Sequence, residues 1–373
     1  MARLKETGRL PLMTNKLNSR PYYRRQKGLA LVSVILIFAI ATVIMTAMRN
    51  RQALDVQRST NLQLMQQART YAMAIEDLAK TALKMDYDNT PDVDSLKEVS
   101  QLNIPSAPIG KSGYSISAKL IDAQSRFNLN SLQPDVSNPA LQLARFKNLL
   151  NDLGLDPGIA ERTAQFMDEK SQIDTNYMSL EKNPYRASYK PFKHTSELML
   201  IEGVDLEAYY KLEPFISALP STATLNINTA SAKVIAALAT SWNESNANEV
   251  ISKRTDDGFA TVDEFWNMPA LEEFKNSGNG SGSDSDDNNN ATNKWDKADF
   301  SVNSAYYEVF AEVAFEDTRV TVEYLIYRDP ASGEMHTYYR DFSRRYARDA
   351  AINQAPAATN GQNSDDESSS DNL

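Results

Sequence analysis

The sequence predicts an α+β protein. It reads as one long N-terminal helix packed on an antiparallel sheet, with a large all-helical insertion between early and late strands. Three observations predict this. Residues 29–86 contain no proline or glycine and read as one continuous helix. Residues 113–121 (GYSISAKLI) and the later runs Tyr306–Phe315 and Arg319–Arg328 are strand-like, the first alternating apolar and polar side chains as a half-buried strand does. Residues 131–272, between them, read as helical.

Composition narrows the function. The chain has 373 residues, 42% hydrophobic and 24% charged, which fits one to three globular domains with polar additions. Cysteine is absent, so a disulfide framework, a thiolate nucleophile, a zinc ribbon and an iron–sulfur site are excluded. Two histidines, His194 and His336, cannot build a His-rich centre. No G-x-S-x-G, P-loop or H-E-x-x-H motif is present, and no enzyme activity is expected. A net charge of −10 and a pI near 5.0 oppose a nucleic-acid ligand.

The elements follow in order. Residues 1–28 carry eight basic side chains against Glu6, a net +7, so the remainder carries −17. Leu29–Met48 is a run of twenty uncharged residues, long enough to cross a bilayer as a helix. The basic flank before it predicts a cytoplasmic N-terminus, with residues 49–373 on the other side. Residues 49–130 should hold the stem of the helix and the first strands. Leu64, Ala68, Tyr71, Ile75, Leu78, Ala82 and Met85 recur at spacings of three and four and predict one apolar stem face. Asp88-Asn89-Thr90-Pro91-Asp92 should end the helix.

The insertion, 131–272, contains an internal repeat. Phe127-Asn128-Leu129-Asn130 matches Leu225-Asn226-Ile227-Asn228, and Phe192-Lys193-His194-Thr195-Ser196-Glu197-Leu198 echoes Phe259-Ala260-Thr261-Val262-Asp263-Glu264-Phe265. Thr195 or Ser196, and Thr261, are the expected helix N-caps. Two helical subdomains of helix-hairpin-helix or SAM-like plan are implied. Some such modules bind DNA through a glycine-rich hairpin, but Ala239–Ser245 has no glycine and carries Glu244. Residues 273–299 include a Ser/Gly/Asn/Asp-rich stretch expected to be a flexible loop. Residues 300–349 hold the late strands, with a third strand at Glu334–Phe342, and 350–373 form an acidic tail expected to be disordered.

Lys27-Gly28 directly before the apolar run resembles the processing site of type IV prepilins and type II secretion pseudopilins. The resemblance implies cleavage after Gly28 by a prepilin peptidase, leaving Leu29 as the new N-terminus. Most of that family has glutamate at the fifth mature position, where this chain has Ser33. That departure, the asparagine motifs, the insertion, Asn183-Pro184-Tyr185-Arg186 and Phe300–Tyr307 together resemble the K-type minor pseudopilin of the type II secretion system. The resemblance covers roughly residues 22–345. A carboxylate inside the bilayer is costly unless paired. A tip subunit has no predecessor to pair it, whereas a serine can bond back to a helix carbonyl.

The resemblance implies a pilin-like fold, an inner-membrane anchor and a periplasmic C-terminal domain. It implies a role at the tip of the pseudopilus in initiating it and in exporting folded proteins across the outer membrane. The implied partners are the I-type and J-type minor pseudopilins and the major pseudopilin filament, with no nucleic acid. It also implies calcium, whose candidate ligands are Asp168, Glu169 and Asp174; Lys170 opposes a cation there, and an acidic solvated loop accounts for the same residues. Three other readings stay open: a minor pilin of a type IV pilus, a membrane-anchored periplasmic binding protein using the hairpins, and a plain signal-anchored domain.

Overall fold

The computed structural model describes residues 29–101, 103–109, 113–180, 183–255, 257–275, 294–315 and 318–342. Lys27, Gly28 and the acidic tail lie outside the described residues. The chain divides into two compact units, Met1–Gln63 and Leu64–Leu373.

The helices are α1 (Leu29–Asn89), α2 (Leu96–Gln101), α3 (Pro139–Asp152), α4 (Gly158–Met167), α5 (Asp174–Met178), α6 (Leu206–Leu212), α7 (Ala232–Ala236), α8 (Glu244–Lys253), α9 (Val262–Trp266) and α10 (Glu272–Lys275). The strands are β1 (Ile104–Pro108), β2 (Tyr114–Asp122), β3 (Phe127–Asn128), β4 (Ile216–Ser217), β5 (Leu225–Asn226), β6 (Phe300–Ser301), β7 (Tyr306–Phe315), β8 (Thr318–Arg328) and β9 (Met335–Asp341).

In the first unit, the Leu29–Met48 part of α1 is apolar, with Leu31, Ile35, Ile37, Phe38 and Val43 exposed. A helix of this kind is stable in lipid and costly in water. Its length and composition suffice to cross a membrane.

In the second unit, the rest of α1 packs on an antiparallel sheet in the order β1-β2-β7-β8-β9. β7 pairs with β2 from Tyr114↔Phe315 to Asp122↔Tyr307, and with β8 from Tyr306↔Tyr327 to Phe315↔Thr318. Period-two alternation sends Tyr307, Val309, Ala311 and Val313 of β7, and Val322, Tyr324 and Ile326 of β8, toward the helix. The helix meets them with Ala68, Ala72, Ile75 and Leu83. The two alanines let the backbone approach closely, and Tyr324 Oη donates to the Ala72 carbonyl at 2.7 Å.

The helical stem face differs from the sequence expectation. Leu78 and Met85 are 49% and 63% exposed, and Ala72 and Leu83 take their place. At about 100° per residue, Leu78 and Met85 point about 80° to 100° away from Ala68, whereas Ala72, Ile75 and Ala79 stay within about 40° of it. β1 was not foreseen: it is a short bulged edge strand containing two prolines, with no clear alternation.

The insertion is helical but not wholly so. Each repeat opens on its asparagine strand and is closed by a parallel partner, β3 on β4 and β5 on β6. The first core holds Phe146, Leu149, Leu150, Phe166, Leu198 and Leu212; the second holds Val234, Ile235, Val250, Phe265, Leu271 and Trp295. Leu141 of α3 belongs to the second core, so α3 serves both. The 273–299 segment has structured ends: α10 runs to Lys275, and Trp295 is buried and stacked on Phe274 at 4.4 Å. Residues 276–293 lie outside the described residues.

Candidate functional site

The two asparagine motifs do matching work. Asn130 Oδ1 accepts from Phe192 N at 2.7 Å, and its amide donates to the carbonyls of Phe192 and Leu219. Asn228 Oδ1 accepts from Phe259 N at 2.7 Å, and its amide donates to the carbonyls of Phe259 and Val302. So in each repeat one buried asparagine ties the opening strand to the later Phe-containing loop and to the segment after the closing strand. An amide can do this because it offers an acceptor and two donors from one rigid plane. This explains why the sequence repeats as two linked pairs of motifs.

The preceding asparagines diverge. Asn128 holds the linker, accepting from Leu219 N and donating to the Pro220 carbonyl. Asn226 donates instead to Asp122 Oδ2 at 3.0 Å and Ser304 Oγ at 2.8 Å. There the second repeat meets the stem and the sheet. Arg328 Nη2 donates to Asp94 Oδ2 at 2.5 Å and to the Ser304 carbonyl at 2.8 Å. Tyr307 Oη donates to Asp94 Oδ1 at 2.7 Å, and Ser304 N to Asp94 Oδ2 at 2.7 Å. Asp94, Asp122, Ser304, Tyr307 and Arg328 are all buried. Burial, with Asp94 beside it, pushes the Tyr307 hydroxyl well above its ordinary pKa.

Two further contacts join the insertion and the stem to the sheet. Arg126 Nη1 donates to Glu308 Oε2 at 2.8 Å, both buried. Glu76 of α1 accepts from Arg340 and Thr337 of β9 and from Lys80. Burial alone would raise the Glu76 pKa; those three donors outweigh it and hold it near about 2.

The sequence-predicted site residues fall as follows. Leu29 opens α1, and Ser33 Oγ donates to the Ala30 carbonyl at 3.0 Å, the backbone bond a serine can make inside a span. Asp168 Oδ1 accepts from Lys170 N, and Asp174 Oδ1 accepts from Ala187 N 2.8 Å away. Both carboxylates thus organise local backbone. Among the described residues no group of three or more His, Asp or Glu side chains is placed to hold a metal, so Asp168, Glu169 and Asp174 form no calcium cage as they stand.

The first cap is His194 rather than Thr195 or Ser196. Its Nδ1 accepts from Ser196 N, and Glu197 accepts from His194 N in return. Thr261 occupies the second N-cap position without a side-chain bond. His336 is on the edge strand and mostly exposed.

A cleft of about 500 Å³ separates the two repeats, lined by Arg126, Asp135, Gln142, Arg145, Leu219 and Asp299 among others. Arg145 pairs with Asp299 and lies over the rings of Trp295 and Phe300, while Arg126 pairs with Glu308. Its cations are therefore engaged and its acids oppose an anion, so the lining defines no single ligand charge.

Asp94, Asp122 and Arg328 carry no local mark in the sequence. They are single charged residues outside any motif. The one available signal was Phe300–Tyr307, whose Ser304 and Tyr307 lie at their meeting point.

A helix long and apolar enough to span a membrane, continuing as the stem of an antiparallel sheet with two repeats inserted between β2 and β7, fits a pseudopilin-type subunit with a single-pass anchor. The family described as type II secretion system (T2SS), protein K matches the chain twice, over residues 125–221 and 225–282. The first match spans the first repeat from β3 to β4, and the second begins at β5 but ends before β6. Type II secretion system protein K of Pseudomonas aeruginosa is 29% identical over 338 residues, 86% of this chain and 94% of its own. The protein of the same name from Klebsiella pneumoniae is 29% identical over 67% of this chain and 81% of its own. A crystal structure titled as the GspK-GspI-GspJ complex from the enterotoxigenic Escherichia coli type 2 secretion system superposes with a TM-score of 0.63 at 25% identity, covering 77% of this chain and 100% of that one. These matches together support a K-type minor pseudopilin of the type II secretion system.

Proposed function

We propose that this minor pseudopilin caps the tip of the pseudopilus, assists its initiation, and so supports export of folded proteins across the outer membrane. The observation that carries this is the two-repeat head inserted between β2 and β7 and bound into the sheet through Asp94, Arg126 and Arg328. A body of that size built onto one subunit stops another from stacking above it. Ser33 agrees: it satisfies itself within its own helix and needs no neighbouring amine.

The reading includes cleavage after Gly28 by the prepilin peptidase, an inner-membrane anchor with the head in the periplasm, and attachment to the major pseudopilin filament. It includes I-type and J-type partners, in line with the complex in which the structural relative was crystallised. Calcium belongs to it only as a proposal about the Asp168-to-Asp174 segment, without a defined ligand set. Calorimetric titration with calcium checks that part, and a flat titration removes it.

The repeats serve here as shape rather than as nucleic-acid readers. The α3–α4 hairpin does carry a glycine, Gly154, but the N-terminus of α4 is occupied from within. Asp156 Oδ1 accepts from Gly158 N and its Oδ2 from Arg162, where a phosphate would have to sit. Those two donors hold the Asp156 pKa low. The α7–α8 hairpin has Asn243 in the same role.

The test is the N-terminal sequence and intact mass of the protein from its native membrane, followed by mixing with the I-type and J-type subunits. A start at Leu29 and a stable ternary complex are expected. A retained Met1 with the peptidase active, or no association at micromolar concentration, overturns the proposal.

A further inference from the structure

The second repeat, the stem and the sheet meet at a cluster that holds more acid than base. Asp86 comes from the last turns of α1, Asp94 from the turn before α2, and Asp122 from the end of β2. Arg328 pairs with Asp94 at 2.5 Å but reaches Asp86 Oδ2 only at 3.5 Å, and its Nη1 has no hydrogen-bond partner. Asp122 is held by four neutral donors instead: Ser304 Oγ at 2.6 Å, Thr229 Oγ1 at 2.5 Å, Asn226 Nδ2 at 3.0 Å and Gln124 N at 2.8 Å.

Among the described residues, the other charged or titratable groups facing the cluster supply no second cation. They are Glu98 from α2, Tyr87 from α1 and Tyr307 from β7. The second repeat contributes Asn226 and Thr229, and its Arg254 is directed to the Asn228 and Ala230 carbonyls. With all three aspartates ionised, one guanidinium would serve Asp94 and the partly buried Asp86, while the buried Asp122 beside Asp94 would have only neutral donors. Such an excess is costly, and a proton relieves it.

We propose that this cluster is a proton-sensitive joint: protonation of Asp122 and Asp86 locks the second repeat onto the stem and sheet, and their ionisation loosens it. The bonding permits the change. Ser304 and Thr229 meet Asp122 through hydroxyls, which can reverse from donor to acceptor when the carboxyl carries a proton. The Asp94–Arg328 pair is unaffected by that reversal.

The electrostatics run the same way. Burial, reinforced by the charge of Asp94, pushes Asp122 up from 3.8 to about 6 against its hydroxyl donors. Burial, then Asp94 and Glu98, push Asp86 up from 3.8 to about 6 against Arg328. A carboxyl raised on folding stabilises the closed joint fully below about 4, and that contribution is lost as the pH rises through about 6. For one such group, local opening becomes about tenfold easier between pH 5 and pH 7.5.

Hydrogen exchange on the full chain in detergent micelles tests this at pH 5 and pH 7.5, each rate divided by its intrinsic rate. The reporters are peptides covering residues 94–99, 226–230 and 302–305. The reference is Phe192, held by Asn130 in the first repeat. Between about tenfold (one group) and about a hundredfold (both) greater protection at pH 5 is expected at the reporters, with the reference unchanged. The double variant Asp86→Asn, Asp122→Asn should flatten the difference. Equal reporter protection at the two pH values, an equal change at Phe192, or a dependence that survives in the double variant overturns the proposal. If that variant does not fold, the wild-type comparison with its reference decides alone.

Discussion

At the scale of single residues, the asparagine pairs carry the clearest consequences. Asn228→Ala would leave Phe259 N without its acceptor and remove donors from two carbonyls, all in a buried setting. A loss of about 2–4 kcal/mol is expected in chemical denaturation, since an orphaned buried group costs about 1–3 kcal/mol. Asn130→Ala should cost a similar amount through Phe192 and Leu219. Equal stability of either variant and the parent would mean water replaces the amide. Arg328→Met is a second case: it strands Asp94 as a buried charge, and about 3–5 kcal/mol should be lost. The motifs were visible in the sequence as repeats. Their role was not, because Phe192 and Phe259 lie 62 and 31 positions downstream of the asparagines that hold them. His194 shows the reverse problem: a histidine is an uncommon cap, so its neighbours Thr195 and Ser196 drew the assignment.

Among the elements, legibility follows local pattern. The β7–β8 hairpin was read to within a residue at each end because its strands were long and its turn was polar. The short edge strand β1 and the two-residue closing strands have too little pattern to detect. The stem helix shows what the pattern fixes and what it leaves open. Spacing alone predicts one apolar face on α1 that runs through Leu78 and Met85. The sheet selected Ala68, Ala72, Ile75 and Leu83, with Glu76 buried at the margin to receive Arg340. Leu83→Ala should therefore cost about 2–5 kcal/mol, the usual range for a buried leucine. Leu78→Ser should stay within about 0.5 kcal/mol in the isolated protein, as surface substitutions do. Matched thermal or urea melts check the pair. Equal losses would mean that both leucines are core.

For the whole molecule, opposing acid groups shape the response to pH. Glu76 falls from 4.5 to about 2 on folding. Its contribution is present above about pH 4.5 and lost as the pH falls toward about 2. Asp86 and Asp122 rise from 3.8 to about 6, and their contribution is lost as the pH rises through that value. From these three groups a thermal midpoint highest at about pH 4 and falling on both sides is expected. A midpoint that climbs steadily from pH 5 to pH 8 would contradict the sign for the two aspartates.

The sequence by itself determined the membrane span, the continuous stem, the late hairpin and the duplication in the insertion. Each is written in local composition or periodicity, which the backbone obeys before any distant contact forms. It also carried the family resemblance, through Ser33, the asparagine motifs and Phe300–Tyr307. Only the tertiary structure decided which helix face is buried, how strands β4 and β6 close the repeats, and where the buried charges meet. Asp94 finds Arg328 across 234 positions, and Asp122 finds Ser304 across 182. Such pairings depend on how the chain returns through space, and no spacing along it records them.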